Sequence, residues 1–198
     1  MNPWPYNTPG IPDYCFTKEL SPITRQEIRA IIMAKLRLNQ SHTLVDVGAG
    51  TGSVAIEAGR ILTSGRVFAI ESVSERVVLI EENRRKFGVN NIQVIQGTAP
   101  EVFTKLPRID RAFIGGSGGR LAEILEELIP RFNPEGRIVM TAVTLETLNT
   151  ALKILTNAPF VEFEALAVNL ADWQSLNKFH LFQPVHTVHV LAASLEHL

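Results

Sequence analysis

The run Leu44-Val45-Asp46-Val47-Gly48-Ala49-Gly50-Thr51-Gly52-Ser53 carries the most structural information in the chain. A short apolar stretch breaks off into three alternating glycines, and helical spacing begins at Ser53. The pattern reads as a buried strand, a tight turn and a helix. Glycines at such a junction let the backbone turn sharply and let a ligand approach the main chain, while the helix N-terminus offers unpaired N–H groups. A nucleotide-type pocket is the expectation. The dinucleotide fingerprint G-x-G-x-x-G needs glycine where Ser53 stands, which argues against NAD or FAD. A phosphate loop needs Gly-Lys-Ser/Thr, and the run holds no lysine.

On either side of this run the chain alternates short apolar stretches with longer amphipathic ones, as expected of a parallel sheet covered by helices. Strands are predicted at Thr43 to Val47, Arg66 to Ile70, Ile92 to Ile95, Ile109 to Ile114 and Gly136 to Thr141. Helices are predicted at Ser53 to Leu62, Ser74 to Phe87, Arg120 to Phe132 and Leu145 to Asn157. Two late extended stretches, near Val161 to Asn169 and Val185 to Ala192, suit an antiparallel pair at a sheet edge. Upstream, Thr24 as N-cap with Glu27 three residues on opens an amphipathic helix through Ile28, Ile31, Ile32 and Leu36. The first 22 residues hold Pro3, Pro5, Pro9, Pro12 and Pro22 with Trp4, Tyr6, Tyr14 and Phe16, and read as an extended arm whose aromatics seek a surface. The chain therefore divides into a proline-rich arm, 1–22, and one α/β domain, 23–198.

The composition narrows the class further. With 198 residues, 45% of them hydrophobic, one globular domain is the default. A net charge of −1, from 19 Lys+Arg against 20 Asp+Glu, lacks the basic excess of a protein that grips nucleic acid by its phosphates. Apolar runs such as Ala30 to Ala34 are far shorter than the roughly 20 residues of a membrane span. A single cysteine, Cys15, and no basic segment leading into an apolar signal core suggest a reducing cytoplasm. Cys15 is expected to be a packing residue. His186 and His189, three apart on a predicted strand, would face opposite sides and so do not converge on an ion; a strand-surface or core role is expected. His42, His180 and His197 are scattered, and no metal site is expected.

An acid inside the strand followed by G-x-G-x-G resembles the class I S-adenosylmethionine-dependent methyltransferases, which implies a Rossmann-like, mostly parallel seven-stranded sheet with an antiparallel edge and helices on both faces. The resemblance implies that Gly48, Ala49, Gly50, Thr51 and Gly52 pass under the methionine moiety of S-adenosyl-L-methionine, with Asp46 near its amino group. Glu71, at the end of the next strand, stands where the class grips the ribose hydroxyls, for which the two oxygens of a carboxylate are suited. Gly97-Thr98-Ala99-Pro100 follows the third strand, with Thr98 where many members carry aspartate; adenine recognition there rests on the main chain of Thr98 and Ala99. A second cluster, Gly115-Gly116-Ser117-Gly118-Gly119-Arg120, ends the fourth strand, where an open α/β sheet places its substrate. It clears a floor for a flat molecule and lacks the Asn/Asp-Pro-Pro-Tyr/Phe of amino-methylating DNA enzymes.

Together with Pro9 to Asp13 and Ser21 to Arg25, these motifs look like the decarboxylating precorrin C15-methyltransferases of cobalamin biosynthesis, over about residues 9 to 192. That family implies methylation of a tetrapyrrole at C15 with loss of carbon dioxide from the C12 acetate, a C5-methylating partner and a homo-oligomer such as a tetramer. It also implies a cofactor contact from Thr24. The chain departs from it at Asn169-Leu170-Ala171-Asp172, where members commonly show a Ser-Arg pair. Asp172 puts an acid there, for which Lys178 is a candidate compensation, unless the loop simply faces solvent, the favoured reading. Methyl transfer is an in-line displacement that positioning alone can drive, so no catalytic dyad is required and none is assigned. A polycarboxylate substrate needs cations, and Arg120, Arg25 and Arg29 are the candidates. Another small-molecule or RNA methyltransferase, or a non-catalytic cofactor-binding scaffold, remains an alternative.

Overall fold

The computed structural model describes residues 3–19 and 21–196, so His197 lies outside the described residues. Strand β1 (Thr43–Val47) is followed by α2 (Ser53–Ile61), β2 (Arg66–Glu71), α3 (Ser74–Phe87), β3 (Ile92–Gln96), β4 (Ile109–Ile114), α4 (Leu121–Leu128), β5 (Phe132–Ala142), α5 (Leu145–Leu155), β6 (Phe160–Val168), β7 (Ala171–Leu176), β8 (Phe179–Pro184) and β9 (Val188–Leu195), with α1 (Gln26–Leu36) preceding them all. Seven strands form one sheet in the order β3-β2-β1-β4-β5-β9-β6, parallel through β5 and antiparallel from β9 outward. The antiparallel edge expected from the tail is the β6–β9 pair.

Strand β1 explains the layering. Alternate side chains point to opposite faces, so Leu44 packs with α1, α2 and α3, while Val45 and Val47 pack with α4 and α5. A central strand covered on both sides reads as a near-continuous apolar run, interrupted here by the buried Asp46. Helix α4 buries one stripe, Leu121, Ile124, Leu125 and Leu128, and stops there because Pro130 cannot continue it. The helix expected to reach Phe132 is thus shorter; Phe132 already belongs to β5.

The proline-rich segment is packed against the domain. Ile11, Cys15 and Phe16 are buried in the α1–α3 layer, and Asp13–Cys15 forms a 3-10 turn, so the segment is not extended throughout. A buried ion network fastens it. Arg29, with no exposed surface, donates from Nε to Glu57 Oε1 (2.8 Å) and from Nη1 to Asp13 (2.8 Å), and its guanidinium also meets the carbonyls of Ile11 and Thr24. Glu57 in turn accepts the backbone N–H of Gly10 (2.8 Å) and of Ile11 (3.0 Å). Two expectations are corrected here. Arg29 faces the interior and not a ligand. Thr24 is not the N-cap, because α1 starts one residue later, behind Arg25, with no side-chain cap, and Arg29 takes up the Thr24 carbonyl.

Between β6 and β9 the chain makes a two-stranded hairpin, β7–β8, with Asn177 at φ +53° in its turn. Neither face of it is buried, and Trp173, Phe179 and Phe182 are among the exposed apolar side chains.

Candidate active site

Strands β1 and β4 are neighbours from which the chain winds in opposite directions, and the crevice beyond their C-terminal ends is where such sheets bind ligands. The two glycine loops meet there. The N–H groups of Gly48 and Ala49 both donate to the Ile70 carbonyl (3.0 Å each), and those of Gly115 and Gly116 to the Val47 carbonyl (3.0 and 3.3 Å). Gly48 has φ +74°, and a Cβ on it would stand 2.7 Å from the Gly116 carbonyl oxygen. Backbone lies on backbone, which only glycine permits. Gly50, at φ +58°, faces open space on the cavity side, with the Pro22 carbonyl the nearest atom at 3.7 Å.

A cavity of about 430 Å³ opens over these loops. Gly48 to Thr51, Ser53 and Glu71 form one wall, Gly115, Gly116 and Gly118 the floor, and Pro22 to Arg25 the side nearest α1. Leu170, Val185, His186 and Val188 close it from the hairpin side. A smaller recess of about 80 Å³, sharing Gly48, Ser72, Gly116 and Gly118, continues toward Gly97, Thr98 and Ala99. Another of about 220 Å³ lies over Gly115 to Gly119 and Thr141 to Val143.

Glu71 ends β2 almost fully buried. Its Oε2 accepts the Gly50 N–H (2.9 Å) and its Oε1 the Val73 N–H (3.0 Å), which pins the glycine loop to the neighbouring strand. Asp46 is wholly buried behind the loop, and neither carboxylate oxygen has a hydrogen-bond partner. Burial pushes its carboxyl up to about 7; the Ala55 N–H, too loosely placed to count as a bond, pulls against this, and the Glu71 charge adds to it. The Thr51 hydroxyl is likewise buried without a partner. Asn83 on α3 holds the loop from below, donating to the Thr51 carbonyl (3.0 Å) and to that of Thr17 (2.7 Å) in the N-terminal segment.

The structure therefore brings Thr24, Gly48 to Thr51, Glu71, Gly115, Gly116 and Gly118 to one cavity, with Thr98, Ala99 and Ser117 on its recesses. Gly52 is the N-cap of α2, with a hypothetical Cβ 2.9 Å from Ile80, and Asp46 stands behind the wall. Gly119 borders only the outer recess. Arg120 is not on the cavity wall: as N-cap of α4 it pairs with Glu101 and Glu123, each at 2.6 Å. Lys178 lies on the hairpin turn, 5.6 Å from the centre of the Phe179 ring. Two ionisable wall residues, Arg76 and His186, escape the sequence reading of the site, as do Ser72, Thr141 and the apolar side chains Leu170, Val185 and Val188. Arg76 sits five residues past Glu71, a spacing with no distinctive signal. His186 was assigned to a strand, but β9 begins only at Val188, so His186 is exposed in the connection and reaches the cavity. His189 does lie on β9, with Nδ1 3.3 Å from the Ala142 carbonyl.

Sheet order, glycine loop and buried acid at the end of β2 together define a class I methyltransferase. Comparison with known proteins narrows this. The family profile described as precorrin methyltransferase domain matches residues 15–194. A cobalt-precorrin-6B C(15)-methyltransferase (decarboxylating) of Salmonella typhimurium is 37% identical over 175 residues, 88% of this chain and 90% of its own length. The crystal structure of a precorrin-6y C5,15-methyltransferase from Geobacter metallireducens superposes with a TM-score of 0.89 at 38% identity, covering 96% of this chain and 100% of its own. That of a precorrin 8W decarboxylase from Methanobacterium thermoautotrophicum gives 0.86 at 34% identity, covering 92% and 98%. The chain belongs to the precorrin methyltransferase family.

Proposed function

We propose that the protein methylates a cobalt-precorrin macrocycle at C15, with S-adenosyl-L-methionine as donor, and removes the C12 acetate carboxyl as carbon dioxide, as a step of cobalamin biosynthesis. The observation that carries the reading is the single cavity in which a glycine-walled half, pinned by Glu71, adjoins a glycine-floored half under the hairpin. The residues present fit the donor. Gly50 leaves bare backbone on the cavity wall, Glu71 offers a carboxylate to a pair of hydroxyls, and the recess at Thr98 and Ala99 adjoins it. The donor supplies a methyl group on a sulfonium, a leaving group that departs as a neutral thioether.

This chain's part is positioning. Gly48 to Thr51 fix the donor side, Thr24 and Ile28 close the wall against water, and Gly115 to Gly118 admit the ring at van der Waals distance, a proximity worth several orders of magnitude in rate. The electron pair for the new C–C bond comes from the macrocycle. When carbon dioxide leaves, its bonding pair passes into the conjugated ring and a proton takes the vacated place on the side-chain carbon. His186, exposed on the cavity wall, is the residue we propose as the carrier of that proton.

A homo-oligomer and a C5-methylating partner belong to the same reading. The former is supported by the exposed hairpin aromatics and by Tyr6 and Tyr14 of the N-terminal segment, which stay exposed while Ile11, Cys15 and Phe16 are buried within the chain. Gel filtration tests it. The function itself is tested by titrating S-adenosylhomocysteine calorimetrically into the protein with and without a saturating polycarboxylate porphyrin. Simultaneous binding of both supports the shared cavity; mutual exclusion or absence of binding contradicts it.

A further inference from the structure

The rim of the cavity carries an ion pair that already looks like ligand recognition. Arg25, on the wall at the start of α1, donates from Nη1 and Nη2 to the two oxygens of Asp172 at 2.8 and 2.7 Å. A planar fork on a carboxylate is the geometry by which arginine recognises a carboxylate ligand. Asp172 comes from β7, 147 positions downstream, and the hairpin it belongs to is rooted in the same wall through Leu170 and Val185. The side chains of Arg25 and Asp172 are 32% and 45% exposed, so an incoming ligand reaches the pair without unfolding anything. Each holds the other in its charged form, Arg25 raised above and Asp172 lowered below its ordinary pKa by their shared hydrogen bonds.

The cavity needs this cation for an anionic ligand. Among the described residues, Arg25 and Arg76 are the arginines on its wall, no lysine is there, and Arg76 lies 4.0 Å from Glu71 on the donor side. We propose that Asp172 is a resident surrogate for a substrate carboxylate: it fills the Arg25 fork in the free protein and exchanges with a carboxylate side chain of the incoming tetrapyrrole. The proposal rests on the tetrapyrrole reading above and assigns the residue that selects among such rings. Because one carboxylate replaces another, the gain is the difference between two ion pairs. A ring without a carboxylate at the right place meets an occupied fork and gains nothing. Glu27, 3.4 Å from the Arg25 Nε, stays on the other edge of the guanidinium in both states and keeps it oriented.

The test is a fluorescence titration of the full chain with uroporphyrin, a polycarboxylate tetrapyrrole. Asp172→Asn is expected to bind it roughly fivefold more tightly, the factor an exposed ion pair typically represents. Asp172→Glu should restore wild-type affinity, and in an Arg25→Gln background, where there is no fork to vacate, Asp172→Asn should gain clearly less than fivefold. Affinity for S-adenosylhomocysteine should not move in Asp172→Asn. A purely structural Asp172 would weaken both ligands when replaced, so a gain in one alone separates the roles, and a misfolded variant does not imitate it. Unchanged or weaker uroporphyrin binding by Asp172→Asn, or an equal gain in the Arg25→Gln background, overturns the exchange while leaving the tetrapyrrole reading intact. Failure of the wild-type protein to bind uroporphyrin at all overturns both.

Discussion

Replacing Gly48 by alanine puts a single methyl group where the two glycine loops touch. At φ +74° an alanine pays for a left-handed backbone, about 1–2 kcal/mol. Its Cβ would also stand 2.7 Å from the Gly116 carbonyl oxygen and 2.8 Å from Gly116 N and Cα, where ordinary contact begins at 3.4 Å. The loops must part by about 0.7 Å, and neither is free to do so, because the Gly115 and Gly116 N–H groups are tied to the Val47 carbonyl. Overpacking of this kind costs a further ~1–3 kcal/mol. The sum, ~2–5 kcal/mol, lowers the midpoint of thermal unfolding by about 5–15 °C for a chain of this size. Gly118→Ala is the control: its φ is +57°, but nothing lies within 4 Å of the added Cβ, so only the backbone strain remains. The account also requires a functional split, since a displacement near 1 Å at a positioning element costs on the order of 10²-fold in rate. Thermal unfolding and S-adenosylhomocysteine calorimetry on both variants measure this. If Gly48→Ala is no less stable than Gly118→Ala, or binds the cofactor product as the wild type does, the loop contact does not have the role given to it.

Arg29→Ala leaves Glu57 buried without its cation and should lower stability by about 3–5 kcal/mol in denaturant unfolding, with the N-terminal segment becoming protease-sensitive. Asp46 keeps its proton in the folded protein up to about pH 7, whereas the unfolded chain loses it near pH 4, so its burial reduces stability progressively across that window and fully above it. Asp46→Asn should therefore gain stability relative to the wild type as pH rises from about 4 to about 7 and show no pH-dependent gain below it, as urea titrations at several pH values will report. Arg120→Ala should leave uroporphyrin affinity unchanged in the same fluorescence titration, because Glu101 and Glu123 occupy its guanidinium and it does not line the cavity.

What could be read from the sequence was local. The β1 loop and Glu71 were visible because strand, turn, helix and acid follow one another within about thirty residues and each has its own compositional mark. Arg29 was misread as a ligand anchor because its partners, Glu57 and Asp13, lie 28 and 16 positions away on other elements, and a helical arginine carries no sign of a buried carboxylate. The β7–β8 hairpin left no trace because both its faces are exposed, so no hydrophobic period distinguishes it, and the displacement of His186 from strand to cavity wall follows from that omission. The Gly115 to Gly119 cluster shows the limit of composition. A Cβ on Gly116 would only touch the Gly48 Cα at 3.8 Å, one on Gly115 would press into the Phe113 ring, and Gly118 adopts positive φ in open space: the same residue answers different steric demands.

In the proposed function one cavity couples methyl transfer to decarboxylation. Turnover of a cobalt-precorrin carrying carbon-13 in the C12 acetate carboxyl, with S-adenosylmethionine labelled in its methyl group, reads both events in a single mass-spectrometric time course. Label is expected to enter the ring at C15 and to leave as carbon dioxide in equal amounts, with Gly48→Ala slowing both together. Methylation without release of labelled carbon dioxide, or release without methylation, would contradict it.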